Sequence, residues 1–145
     1  LCPVFCPALL PASEALVVGG SDGAIITVRR AGKQIESRLA AVDCPEKGQP
    51  YSNAANKFTA TLVSGRFVDV EKVDTDGYGR IVAFISIDDV VVNKALLKEG
   101  LAWLDKEYST SAVLDELASE ARSNQRGLWT EPNPEPPWEY RQRTR

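Results

Sequence analysis

Short β-rich runs cut apart by turn residues constrain the fold of this chain more than any other feature. The runs 16–18, 25–29 and 35–42 are rich in Val, Ile and Leu, and Gly19-Gly20 and Ala31-Gly32-Lys33 read as the turns between them. Ala54, Phe58 and Leu62 then recur at every fourth residue, which predicts a helix over 50–62 with that face inward. Two more strands, 66–73 and 80–87, flank the turn Asp74-Thr75-Asp76-Gly77-Tyr78-Gly79. Asn93 reads as the cap of a second helix with Leu96, Leu97 and Leu101 inward and Gly100 as its stop. Ser111 starts a third helix, with Val113, Leu114, Leu117, Ala118 and Ala121 inward and Gly127 as its end. The segment 132–137 reads as extended, with Trp138 packing back on the body. This is an α+β chain with a mainly β core. Periodicity alone carries it as far as a small β-barrel with helices.

At 145 residues, with 43% hydrophobic and 26% charged residues, the chain fits one globular domain. The net charge of −3 gives no overall attraction for polyanions, so any affinity for nucleic acid must be local. Arg141, Arg143 and Arg145 form a basic tail whose simplest reading is a solvated, frayed terminus. No histidine occurs, which excludes Ser-His, Cys-His and His-ligated metal chemistry. A catalytic metal would therefore sit among oxygens, as calcium or magnesium does. Cys44 reads as a small buried hydrophobe. Cys2 and Cys6 suit neither a zinc site nor, strongly, a disulfide. Residues 1–15 are apolar and end in the small residues Ser13 and Ala15, the pattern of a secretory leader, and an unstructured extension is the alternative. The leader pattern predicts a secreted or periplasmic protein. The segment is too short and proline-rich to span a bilayer, so no membrane partner is expected.

Two stretches carry chemistry: Arg38-Leu39-Ala40-Ala41-Val42-Asp43-Cys44-Pro45-Glu46 and Asp76-Gly77-Tyr78-Gly79-Arg80. Two guanidiniums can clamp a phosphodiester bidentately, while carboxylates hold a hard cation or handle a proton. Arg38, Asp43, Pro45, Glu46, Tyr78, Gly79 and Arg80 stand in the order and spacing of the staphylococcal nuclease (thermonuclease) family. The chain resembles that family from about Leu16 to Tyr140, including Arg126-Gly127-Leu128-Trp129 and Pro136-Pro137-Trp138-Glu139-Tyr140-Arg141.

The resemblance implies a five-stranded Greek-key barrel of the oligonucleotide/oligosaccharide-binding type, with one inserted and two C-terminal helices. It divides the chain into a leader (1–15), a nuclease-like domain (16–131) and a Pro-rich basic tail (132–145). It implies hydrolysis of DNA or RNA by a monomer, with Arg38 and Arg80 on the phosphate and Glu46 on the attacking water. Calcium would sit at Asp43 and the backbone carbonyl of Cys44, with Asp22 in support. Tyr78 and Tyr108 would contact the substrate. One position departs from the family. Where it reads Asp-Gly-Asp-Thr, this chain reads Asp22-Gly23-Ala24-Ile25, so a metal carboxylate is replaced by a methyl group and calcium binding is expected to be weak or lost. The alternative is a non-catalytic barrel that binds nucleic acid or protein.

Overall fold

A computed structural model describes residues 14–105 and 111–145. Residues 1–13 of the expected leader (1–15), with Cys2 and Cys6, and Tyr108 lie outside the described residues, while Glu14 and Ala15 of that expected leader begin the first strand. The strands are β1 (Glu14–Asp22), β2 (Ile25–Arg30), β3 (Lys33–Leu39), β4 (Val42–Asp43), β5 (Phe67–Thr75), β6 (Ile81–Ile87), β7 (Val90–Val91) and β8 (Trp103–Leu104). The helices are α1 (Ser52–Val63), α2 (Val92–Lys98), α3 (Ala112–Ser123) and α4 (Pro137–Thr144), with a 3-10 turn at Gly127–Thr130.

Strands β1, β2, β3, β5 and β6 close into a barrel. The order β3-β2-β1-β5-β6 is antiparallel throughout, and a parallel β3–β6 pairing joins the two edges. Closure removes the exposed edges of the sheet. The interior is filled by Val17, Ile26, Val28, Leu39, Val68 and Ile85, each 2% exposed or less. At about 1.5–3 kcal/mol for each large aliphatic side chain buried, this core is the main source of stability. Helix α1 is inserted between β3 and β5, and β4 pairs with β8 outside the barrel.

Several sequence expectations shift in register. Gly19 and Gly20 are not a turn. They lie within β1 at two interruptions of its pairing with β2, where an absent side chain lets the strand bulge. The reversal falls instead at Gly23-Ala24, between the paired residues Asp22 and Ile25. Helix α1 buries Ala55, Thr59 and Val63 most deeply; of the predicted face, Phe58 and Leu62 pack partly buried against the core, and Ala54 is exposed. The small residues win because the β1–β2 hairpin comes so close: a side chain at Gly23 would meet the Ala55 Cβ and the Cys44 Sγ at 3.2 Å. Thr59 Oγ1 also donates to the Gly23 carbonyl at 3.2 Å.

Asn93 does not cap α2, whose cap position is Val91. It is fully buried and replaces missing backbone partners. Its Oδ1 accepts from Ile85 N at 3.0 Å, and its Nδ2 donates to the carbonyls of Ala40 and Ala83 at 2.9 and 3.1 Å. Ser111 does cap α3, accepting from Leu114 N. Val113 is half exposed rather than inward, and α3 ends at Ser123, short of Gly127. The tail is not frayed. Residues 137–144 form α4, with Pro137 at its first position, where a missing N–H costs nothing.

Candidate active site

The parallel β3–β6 pairing sets Arg38 opposite Val82. Ser37 and Leu39 point into the barrel, so strand alternation sends Arg38 outward. Arg80 precedes Val82 by two residues and shares that outer face. Arg38, Arg80 and Val82 line a cleft of about 330 Å³ with Asp43, Asp76, Tyr78, Asp105, Trp138 and Arg141. Four of the sequence-predicted residues therefore meet: Arg38, Asp43, Tyr78 and Arg80. Among the described residues Arg38 makes no ion pair, which leaves its guanidinium for a ligand.

Arg80 is held by its own turn. Asp76 Oδ1 accepts from the backbone N–H groups of Tyr78 and Arg80 at 2.9 and 3.0 Å, and Oδ2 accepts from Arg80 Nε at 2.7 Å. Burial tends to raise the Asp76 pKa, but these bonds and the Arg80 charge together hold it below 3.8. Asp76 takes only the Nε edge, and among the described residues no other ion pair holds Arg80, so its terminal nitrogens are left for an anion. Tyr78 is highly exposed, and its ring lies 5.3 Å below the Arg80 guanidinium.

Asp43 ends β4 and is nearly buried. Its two carboxylate oxygens accept from Arg141: Nη1 to Oδ1 at 3.2 Å and Nη2 to Oδ2 at 2.8 Å. Arg141 Nη1 also donates to Glu46 Oε2 at 2.6 Å. Hydrogen bonding to Asp43, opposed by partial burial and aided by Glu46, raises the pKa of this guanidinium still further. Glu46 itself does not line the cleft and connects to it through Arg141. Its loop is braced by Gln49, whose Oε1 accepts from Glu46 N at 2.8 Å.

Of the other sequence candidates, Asp22 closes β1 and pairs through its backbone with Ile25, and its side chain, expected to support a metal, lies outside what the structure describes. Ala24 is buried, and its carbonyl accepts from Leu39 N at 2.8 Å. Cys44 is buried against the Gly23 hairpin, as its hydrophobic reading expects. Among the described residues no three Asp, Glu, Cys or His side chains come close enough to hold a metal ion. Asp43, the metal carboxylate implied by the resemblance, has both oxygens engaged by Arg141. As they stand, the described side chains do not fit a divalent cation.

Arg141 is the residue that sequence reasoning passed over, by reading the tail as solvated. The available signal was Pro136-Pro137 followed by Trp138 and Arg141. Prolines start a helix, and residues three apart share a face. Here that face puts both side chains in the cleft.

Residues 36–131 match the sequence profile of the family described as staphylococcal nuclease homologue. An uncharacterized endonuclease of Escherichia coli is 37% identical over 142 residues, covering 97% of this chain and 90% of the relative. A micrococcal nuclease of Shigella flexneri is 32% identical over 131 residues, covering 83% of this chain and 75% of the relative. A staphylococcal-like nuclease of Arabidopsis thaliana is 37% identical over 113 residues, 78% of this chain but 35% of that longer protein. A closed five-stranded barrel, an arginine-lined cleft on its outer face and these matches lead to one conclusion: the chain belongs to the staphylococcal nuclease family.

Proposed function

We propose that the protein hydrolyses phosphodiester bonds in DNA or RNA, with the Arg38–Arg80 cleft as the scissile-phosphate site. The observation that supports this most is that two guanidiniums, one on β3 and one from the turn that leads into β6, line one cleft; among the described residues the first makes no ion pair and the second is held by its Nε edge alone. Phosphoryl displacement puts charge on the equatorial oxygens, and fixed guanidiniums facing that charge stabilise the transition state more than the ground state. Tyr78 gives a nucleotide an exposed aromatic surface. Glu46 orients or deprotonates the attacking water through Oε1, because Oε2 is engaged by Arg141. The proton released by the water passes to that carboxylate, and the leaving oxygen takes a proton from solvent.

Calcium, the ion implied by the family resemblance, is held weakly if at all, because Ala24 supplies no charge and Arg141 covers Asp43. The leader-like start is in keeping with export.

The test is cleavage of plasmid DNA and of RNA by the purified chain, with Arg38→Ala as control. Cleavage that the control abolishes supports the proposal, and equal rates overturn it. For the metal, Ala24→Asp with Ile25→Thr, made in an Arg141→Gln background so that Asp43 is uncovered, is expected to raise calcium affinity and cleavage together over Arg141→Gln alone; unchanged affinity would refute that part.

A second reading, a binding module without turnover, is favoured by one observation: Glu46 does not itself line the cleft and joins it through its bridge to Arg141. Salt-sensitive DNA binding without cleavage would select it, and turnover lost in Glu46→Ala would remove it.

A further inference from the structure

The segment carrying Arg141 is docked by contacts unrelated to phosphate chemistry. Gln49 Nε2 donates to the Glu135 carbonyl at 2.9 Å. Trp138 meets Trp103 edge-on with ring centroids 5.6 Å apart. The Tyr140 hydroxyl reaches the Lys47 carbonyl at 3.4 Å, over Gly48, where a side chain would lie 2.6 Å from that hydroxyl. The guanidinium is therefore aimed by a built surface. Its side chain is 31% exposed, and that of Asp43 only 7%.

A carboxylate so far from water needs a cation beside it, since an unpaired buried charge is strongly disfavoured. Either a guanidinium fork or a divalent ion can answer that need. A divalent ion such as calcium bonds carboxylate oxygens directly at roughly 2.3–2.6 Å. The Asp43 oxygens already have Nη2 at 2.8 Å and Nη1 at 3.2 Å. The fork thus occupies the two-oxygen edge that a bidentate ion would take, and two cations side by side would repel.

We infer that Arg141 is a tethered cation: it supplies from within the chain the charge that a divalent ion would bring to Asp43, and the two exclude each other. The catalytic half of this idea rests on the phosphodiesterase reading, and the exclusion half does not. Arg141 is a positioning residue here, holding Asp43 and Glu46 in one bridge while lining the cleft with Arg38 and Arg80.

The test is calorimetric titration of calcium into the full chain, wild type against Arg141→Gln and Arg141→Lys. The glutamine variant is expected to bind calcium about tenfold tighter or more, since a like charge leaves and two carboxylates are freed. The lysine variant, which keeps a charge but loses the fork, is expected between the two. Equal calcium affinity in wild type and Arg141→Gln overturns the inference. If the glutamine variant does not fold, an affinity in Arg141→Lys no higher than wild type overturns it instead. Cleavage in chelator is the second readout. A loss of at least about tenfold in Arg141→Gln, restored by calcium, supports the tethered cation, whereas faster cleavage by the variant in chelator overturns it. Should wild type cleave nothing under any condition, the phosphodiesterase reading fails while the calcium titration still decides the exclusion.

Discussion

Two arginine–carboxylate units meet in one cleft, and they are built in opposite ways. In the first, Asp76 and Arg80 are four residues apart, and the turn that joins them also supplies the backbone N–H groups that Asp76 accepts. In the second, Arg141 reaches Asp43 and Glu46 across 98 and 95 residues of chain. The local unit is a property of its sequence and needs only the β5–β6 hairpin. The distant one exists only if the barrel, the Glu46 loop and α4 all dock correctly. A local unit can fix one side chain; a distant one can join elements that fold separately.

If the local unit presents a phosphate-binding group, removing that group should have the largest effect. Arg80→Ala, like Arg38→Ala, is expected to lower kcat for DNA cleavage about 10²–10³-fold, the usual loss for one preorganised donor to a transition-state oxyanion. The melting temperature of Arg38→Ala should change little, because that side chain lies outside the barrel core and makes no ion pair among the described residues; Arg80→Ala also takes the partner from Asp76. A loss below about threefold in steady-state assays would remove these arginines from the chemistry.

Next in size is the carboxylate that aims Arg80. Asp76→Asn keeps an acceptor for the turn but loses the charge-assisted bond to Nε, and about a tenfold loss of cleavage is expected. Asp76→Ala should do worse, since the N–H groups of Tyr78 and Arg80 lose their acceptor as well. The pH dependence has a fixed sign. The folded pKa of Asp76 lies below 3.8, so its contribution is complete above the unfolded value and is lost as the pH falls through the folded one. The margin in melting temperature of wild type over Asp76→Asn should therefore be level from neutral pH to about 5 and shrink below about 4. A margin that grows on acidification would contradict the assignment.

The contrast also explains what could be read from sequence. Arg38, Asp43, Glu46, Tyr78 and Arg80 lie in two short motifs, and turn chemistry such as Ala31-Gly32, both at positive φ, is written locally. On α1 the predicted Phe58 and Leu62 do pack against the core, but the most buried line runs one residue on, because the decisive contact is the distant Gly23 hairpin, which only small side chains can meet. Asn93 looked like a cap because that role is local, whereas its three bonds run to β6 and to Ala40. Arg141 looked solvated for the same reason. Long-range polar pairing leaves no periodicity to detect.

Docking of the distant unit can be loosened without touching a charge. Gly48 has φ +100 and faces the Tyr140 hydroxyl, so Gly48→Ala strains the backbone and pushes on α4. A stability loss of about 1 kcal/mol is expected by urea denaturation, modest because the far end of a tyrosine can yield. No loss would mean that the tail does not rest on this loop.

The smallest effect is expected two residues along the same helix. Arg143 bonds Glu135 through Nε and Nη2 at 2.6 and 2.9 Å, a fork much like that of Arg141 on Asp43. Bonding to Arg143 lowers the Glu135 pKa. The surroundings differ: the Arg143 side chain is 62% exposed and that of Asp43 is 7% exposed. Water and salt screen the exposed fork and solvate either partner once the other is gone, so it contributes little. Arg143→Ala is expected to leave the urea midpoint unchanged and calcium affinity at the wild-type level. A midpoint drop as large as that of Gly48→Ala would mean that α4 is held by its exposed fork rather than by the Trp138, Tyr140 and Gln49 contacts. If its calcium affinity also rose, the exclusion at Asp43 would depend on tail docking as a whole and not on the one guanidinium that touches it.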